Sequence, residues 1–478
     1  MKYSRIFLLL PLIFFTYAAR SQVQTQATAD EVQQLKQLVF ELQRRVSALE
    51  QQNRQSQTDS AADPYAAVDL ASATAALRDP EPAPAPTQIT TVTSTQPTPP
   101  LPGTLLGGAT LNYYLDGYYE YNFNAPIGRV NNLRAYDVLS NTFSLNQADV
   151  IFDLDPDVSA HRRYGFRLDL QFGQATATLQ GNPANEPRPE IYRNIFQAYG
   201  TYVVPVGHGI DIDFGKWASS LGMEGNYTKD QMNYTRSYYF LFLPFYHEGI
   251  RASYKFDDKL TANYWIDNGT NQSEPTNGYK DELFGFAAQP IKTINWTFNY
   301  YNGQEHPNTV AATDCTVPVQ PGLCVAPITP SPNGKVHIFD SYANWQALPR
   351  LTLAGEGDYV IEREWANAAP DHSSAPAHVD GGAAYAQYQV TQRAALAARA
   401  EYLSDRGGLF SNVTQALKET TGTYKYSLGD NFDVFLEYRR DWSNKLYFIT
   451  ATQGTLSSHQ DTTTLGLVWW YGGKEGSW

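Results

Sequence analysis

The chain of 478 residues is short of several things at once. It carries two cysteines, three methionines and 17% charged residues, and no internal apolar run reaches the ~18 residues that read as a membrane-spanning helix. A mean hydropathy of -0.42 likewise excludes a helical membrane protein. Catalytic signatures are missing too. There is no Gly-x-Ser-x-Gly elbow, no phosphate-cradling Gly-Lys-Ser/Thr loop and no His-Glu-x-x-His zinc helix. The eight histidines are scattered, with His161, His208, His247 and His306 in predicted turns or loops, and no Ser and His pair falls on one side of neighbouring strands. The reading therefore assigns no catalytic residue, no metal and no cofactor. A net charge of -13 argues against a nucleic-acid partner; beyond residue 102 the chain holds 27 Lys and Arg against 39 Asp and Glu.

What is abundant is aromatic: 33 Tyr and 9 Trp. They fall into a pattern, clearest over residues 109–123. Leu111, Tyr113, Leu115, Gly117, Tyr119, Tyr121 and Phe123 share one side, while Asn112, Tyr114, Asp116, Tyr118, Glu120 and Asn122 share the other. Side chains of a strand alternate, and about fifteen residues in register exceeds the usual globular strand but suits a tilted strand crossing an outer membrane. Sixteen such segments follow one another, from 109–123 to 459–472. In the segment 142–154 the apolar register shifts near Gln147, which predicts a bulge.

The connections alternate in length. Asp257-Asp258, Ile291-Lys292, Leu348-Pro349 and Thr391-Gln392 read as tight turns, whereas 174–191, 218–247, 303–335 and 362–379 are long. Short periplasmic turns and long outer loops are the habit of a transmembrane barrel. The expected fold is all-β: an antiparallel outer-membrane β-barrel of about 16 strands over residues 103–478, with its N-terminal segment in the periplasm.

Three segments precede it. Residues 1–21 have a basic start at Lys2 and Arg5, an apolar core and small residues at Ala19 and Ser21, the plan of a secretory signal peptide. Within 30–54, Val32, Leu35, Val39, Leu42, Val46 and Leu49 step by three and four as the a and d positions of a coiled coil. Residues 55–102 are rich in Ala, Thr and Pro, cannot bury a core, and read as a disordered, semi-extended linker.

Further residues carry a resemblance: Leu111-Asn-Tyr-Tyr-Leu-Asp-Gly-Tyr-Tyr-Glu-Tyr-Asn122, Arg134-Ala-Tyr-Asp137, Ser144-Leu-Asn-Gln-Ala148, Arg236-Ser237, Pro244, His247-Glu-Gly249, Arg399-Ala-Glu-Tyr402, Asp405 and Leu436-Glu-Tyr-Arg-Arg-Asp441. As a set they resemble the OmpL-like beta-barrel porin-2 family of Gram-negative bacteria. The resemblance implies an outer-membrane barrel of porin type, with no catalytic residues to carry over.

The inward parity of the strands holds the candidate pore-lining residues Asp116, Glu120, Arg167, Asp169, Arg251, Lys255, Glu356, Asp358, Arg399, Glu401, Glu437 and Arg439. The connection 218–247 is the third long one; in the sixteen-stranded general porins this architecture resembles, that loop narrows the lumen. Its candidate constriction residues are Glu224, Tyr227, Asp230, Tyr234, Arg236 and Tyr238. Arg167, Arg399 and Arg439 would face loop carboxylates such as Glu224 and Asp230 across the pore, though the overall acidity favours cations. Cys315 and Cys324 share one long loop of an exported protein and read as a local disulfide.

The function expected is a porin passing small hydrophilic solutes or ions by diffusion, surrounded by outer-membrane lipid and assembled as a homo-oligomer, with a trimer favoured. The alternatives are a structural protein that links membrane and cell wall through its coil and linker, and an enzyme in a barrel frame. If the coil is an assembly element, replacing Leu35 and Leu42 together with Asp weakens the oligomer on semi-native gels and leaves the barrel folded; wild-type migration of the double variant would remove that role.

Overall fold

A computed structural model describes residues 108–180, 189–275, 277–305, 309–311, 325–327, 334–363 and 376–474. The signal peptide, the coil and its seam, the linker, and Cys315 with Cys324 lie outside the described residues.

Alternation and connection length together dictate what is seen. Sixteen antiparallel strands close into one barrel. They are β1 (Thr110–Asn122), β2 (Thr142–Leu154), β3 (Tyr164–Phe172), β4 (Ile195–Val204), β5 (Ile210–Ala218), β6 (Tyr246–Asp257), β7 (Leu260–Asp267) and β8 (Asp281–Ile291). The second half is β9 (Ile294–Gln304), β10 (Lys335–Leu348), β11 (Leu351–Glu362), β12 (Ala377–Gln389), β13 (Ala394–Arg406), β14 (Gln415–Gly429), β15 (Phe432–Ser443) and β16 (His459–Gly472). Each strand pairs with its sequence neighbour, and β16 returns to β1, with Tyr119 opposite Leu465 and Tyr113 opposite Tyr471. Two small hairpins sit in long loops, Thr309–Ala311 with Val325–Pro327 and Phe448–Ile449 with Leu456–Ser457.

The connections sort as expected, short at one end of the barrel and long at the other. Three tight turns, Asp258-Lys259, Lys292-Thr293 and Pro349-Arg350, fall one residue later than the sequence suggested; Asp430-Asn431 is a fourth two-residue turn, and Thr391-Gln392 lies within the 390–393 connection from β12 to β13. The Asp257 carboxylate explains the first shift. Its Oδ1 accepts the Lys259 and Leu260 N–H groups at 2.8 and 2.9 Å, an Asx turn that fixes Asp257 as the last strand residue. At each of these four two-residue turns the register slips just before the corner, at Lys255/Asp257, Ala288/Ile291, Gln346/Leu348 and Ser427/Gly429. Such slips sharpen the local twist where a strand must reverse. The bulge expected near Gln147 is also present: Asp116 faces Gln147 and Gly117 faces Leu145, leaving Asn146 unpaired.

Parity holds along β1. Asn112, Tyr114, Asp116, Tyr118, Glu120 and Asn122 are buried, while Tyr113, Leu115, Tyr121 and Phe123 are exposed on the outer wall. The outer rings form rows, as where Tyr300, Phe339 and Tyr359 of three successive strands lie 4.8 and 6.5 Å apart. Leu465 lies midway along β16 on this outer face. A Leu465→Lys barrel therefore loses about 2–4 kcal/mol of stability in lipid vesicles, read by urea unfolding, because the ammonium has only hydrocarbon to face.

Candidate functional site

The interior is organised by the connection from β5 to β6, residues 219–245, which folds into the barrel and covers much of the inward wall. Ser237 begins a short helix, Tyr238–Phe242, by accepting the Phe240 N–H on its hydroxyl, the usual work of an N-cap serine. Arg236 fastens the loop to itself. Its guanidinium donates to the carbonyls of Gly225, Asn226 and Tyr234 at 2.8–2.9 Å, and stands 5.1 Å from the centre of the Tyr136 ring.

Backbone inside a barrel has no strand to pair with, so the wall must supply partners. Carboxylates accept its N–H groups: Glu437 takes Tyr234 and Thr235 at 2.7 and 3.1 Å, Glu401 takes Tyr238 at 2.8 Å and Glu356 takes Met223 at 3.0 Å. Arginines donate to its carbonyls, Arg399 to Thr235 at 2.7 Å and Arg439 to Arg236 at 2.5 Å. Loop hydroxyls finish the attachment. Tyr227 donates to Asp169 at 2.8 Å, Thr228 and Tyr234 donate to Asp116 at 2.6 Å each, and Tyr238 donates to Asp441 at 2.7 Å. Burial first, and the Asp116 carboxylate second, push the Tyr234 phenol well above its ordinary range, so it stays a donor. Burial lowers the Lys229 ammonium below its usual value.

A glycine makes room for one of these contacts. A Cβ on Gly466 of β16 would lie 2.3 Å from the Tyr234 ring, so the ring rests on bare backbone.

The first long loop, 123–141, reaches in as well. Arg134 pairs with Asp137 at 2.7 Å and with Asp441 of β15 at 2.6 Å, and the Tyr136 phenol donates to Asn226 at 2.6 Å. Asn131 donates to Glu120, which also accepts from Thr464 at 2.5 Å.

This arrangement revises the residues singled out as pore-lining. Asp116, Glu120, Asp169, Glu401, Glu437, Arg399 and Arg439 do face inward, but they are buried beneath the loops and serve as anchors instead of facing open water. Arg167 pairs with Asp169 at 2.9 Å on its own strand. Glu356 and Asp358 are buried on β11. Arg251 bonds Asp213 at 2.6 Å and lies 5.0 and 5.2 Å from the Tyr199 and Trp217 rings. Lys255, exposed near the turn end, pairs with Asp258. The expected field across the pore between Arg399 and Glu224 is absent, because the two touch: their closest atoms are 2.8 Å apart, and Glu401 and Glu419 complete the cluster at 2.8 and 3.1 Å.

The loop residues divide in the same way. Tyr234, Arg236 and Tyr238 are buried against the wall or inside the loop. Glu224, Tyr227 and Asp230 line a cavity of about 280 Å³, together with Met223, Asn226, Gln231 and Met232 of the loop and Asn344 and Tyr385 of β10 and β12. A second cavity of about 320 Å³ lies toward the turn end, lined by Lys229, Arg393, Lys425, Asp430, Asp433 and several glutamines.

The structure also joins a Ser and a His that sequence reading left apart. Ser219 Oγ is 3.1 Å from His247 Nε2, and His247 Nδ1 is 3.4 Å from Asp267 Oδ1. They come from the root of the loop, β6 and β7, so no local spacing links them. Here they act as a brace. His247 is fully buried beside the Trp265 and Tyr301 rings, and Ser219 Oγ accepts the Leu221 N–H at 3.1 Å, holding the start of the loop.

With this geometry in view, comparisons with known proteins are informative. A family model described as "Putative beta-barrel porin-2, OmpL-like" matches residues 108–469. No curated protein matches. Among solved structures, similar ones include the trimer form of OmpT, an outer membrane protein of Vibrio cholerae, at 10% identity, 76% of this chain, 99% of that chain and a TM-score of 0.48. Others are an anion-selective porin from Comamonas acidovorans, at 8% identity, 76% and 99% coverage and 0.46, and Salmonella typhi OmpF in complex with daunomycin, at 12%, 76% and 97%, and 0.43.

If Gly466 is the seat of Tyr234, Gly466→Ala displaces the ring and loosens the loop. The expected readout in the folded barrel is faster trypsin cleavage after Lys229 or Arg236 than in wild type, alongside unchanged strand content by circular dichroism; equal cleavage would show that the loop tolerates the methyl group.

Proposed function

The chain belongs to the OmpL-like beta-barrel porin-2 family, and on that premise we propose that it forms a water-filled outer-membrane channel for passive diffusion of small hydrophilic solutes, with a preference for cations. A barrel of 16 strands is wide enough to hold an aqueous path. The observation that carries the reading is the cavity between the inserted loop and the wall of β10 and β12. It is lined mainly by polar side chains, and its charged lining residues, Glu224 and Asp230, are both acidic. Glu224 is compensated by Arg399, which leaves the more exposed Asp230 carboxylate as the charge placed to bias a narrow, low-dielectric path toward cations. Tyr227 and Tyr385 give the same cavity two aromatic surfaces suited to the apolar face of a sugar ring.

In this reading the termini and short turns face the periplasm, and the long loops face outward. The heptad of residues 30–54 supports a homo-oligomer held together on the periplasmic side, with three chains favoured, and the Cys315 and Cys324 pair restrains an outer loop.

Single-channel recording in planar bilayers tests the proposal. Asp230 pairs with Lys229 at 2.9 Å and is the more exposed partner. Asp230→Asn removes one of the two acidic lining charges and leaves the ammonium, so the reversal potential in a salt gradient moves toward anion permeation while the conductance stays near the wild-type value. A barrel that inserts but passes no current would overturn the channel reading; an unmoved reversal potential would overturn the assignment of selectivity to this cavity.

A further inference from the structure

Three carboxylates meet where the loop root touches the wall. Asp340 of β10 and Glu356 and Asp358 of β11 are all buried, and one oxygen from each lies within 4.8 Å of the others. Two of the three are held from behind. Asn299 donates to Asp340 Oδ2 at 2.8 Å, and Glu356 accepts the Met223 N–H at 3.0 Å and the Tyr385 phenol at 3.4 Å. The remaining oxygens converge with no partner. Asp340 Oδ1 and both oxygens of Asp358 are buried and accept no hydrogen bond among the described residues, although Asp358 is only 5% exposed.

Several other inward carboxylates have a cationic partner, with Asp149 of β2 a buried exception. Glu401 and Glu419 are neutralised by Arg399, Asp441 by Arg134 and Arg439, and Asp169 by Arg167. Among the described residues no Lys, Arg or His forms an ion pair with Asp340, Glu356 or Asp358. An isolated buried carboxylate is strongly disfavoured unless an opposite charge or hydrogen bonds compensate it.

We propose that Asp340, Glu356 and Asp358 bind a hard divalent cation of the Ca²⁺ class that ties the loop root to the barrel wall. The donor set is all oxygen and carries up to three negative charges, which suits Ca²⁺ or Mg²⁺ over softer metals. Two ligands of one ion stand no farther apart than twice the metal–oxygen distance, roughly 4.6–5.2 Å for Ca²⁺ and about 4.1 Å for Mg²⁺. The three oxygens lie within 4.8 Å of one another, close enough for a single Ca²⁺ to reach all of them. Asn299 orients Asp340 from outside the site, as second-layer groups do for metal-binding carboxylates. Since Glu356 also accepts the Met223 N–H, the cation acts on the loop residue next to Glu224 in the cavity lining.

The test uses the full-length protein in detergent after EDTA treatment and desalting, so it does not depend on transport. Isothermal titration with CaCl₂ should show one saturable ion per chain, and bound Ca²⁺ should raise the melting temperature. Asp358→Asn should lose that step and the thermal shift while remaining a folded barrel; Asp340→Asn serves as the second variant if the first does not fold. Absence of saturable binding to the wild type would overturn the proposal, as would undiminished binding in the folded variants, which would mark a surface site elsewhere.

Discussion

Everything inside this barrel depends on how a peptide backbone is made comfortable away from a sheet. The loop after β5 enters a lumen whose walls have already spent their own N–H and C=O groups on each other. Side chains therefore stand in for a missing strand: Glu437, Glu401 and Glu356 accept from its amides, and Arg399 and Arg439 donate to its carbonyls. Charge-assisted bonds of this kind are about twice as strong as neutral ones, and removing one partner of a buried pair strands the other. That explains why the wall is rich in both signs of charge. The same set of groups grips the loop and neutralises itself.

The barrel was legible in the sequence because its determinants are local. Alternation sets which residues face outward, a one-residue slip would reverse every face, and connection lengths sort into a short end and a long end. Even the irregularity at Asn146 left a trace in the shifted apolar register near Gln147. The position of the long aromatic loop was legible too, since so many rings need a surface to cover.

The chemistry of the interior was not legible, and the reason is separation along the chain. Parity says that Arg399 points inward, but not that Glu224, 175 residues earlier, will lie against it. Ser219, His247 and Asp267 meet only because β5, β6 and β7 are neighbours at the loop end. The three carboxylates of β10 and β11 look like ordinary hydrated wall residues until the loop root is placed over them. One signal did point the right way without revealing why. The motifs that carry the family resemblance include Arg134, Tyr136, Arg236, Arg399, Glu401, Glu437, Arg439 and Asp441, and the structure brings these residues together where the two inner loops dock on the wall.

The seat of Tyr234 has a kinetic meaning. The ring lies on Gly466 of β16, its phenol bonds Asp116 of β1, and its amide bonds Glu437 of β15. Those strands flank the seam where the last strand returns to the first. Before that seam closes, the receptor for the ring does not exist, since one half is near the start of the barrel sequence and the other near its end. The loop lies midway along the chain, and this seat is complete only when β1, β15 and β16 stand together. Once β16 meets β1, the same tyrosine touches both sides, so parting the two strands at this seam also costs the loop its contacts with Asp116 and Gly466.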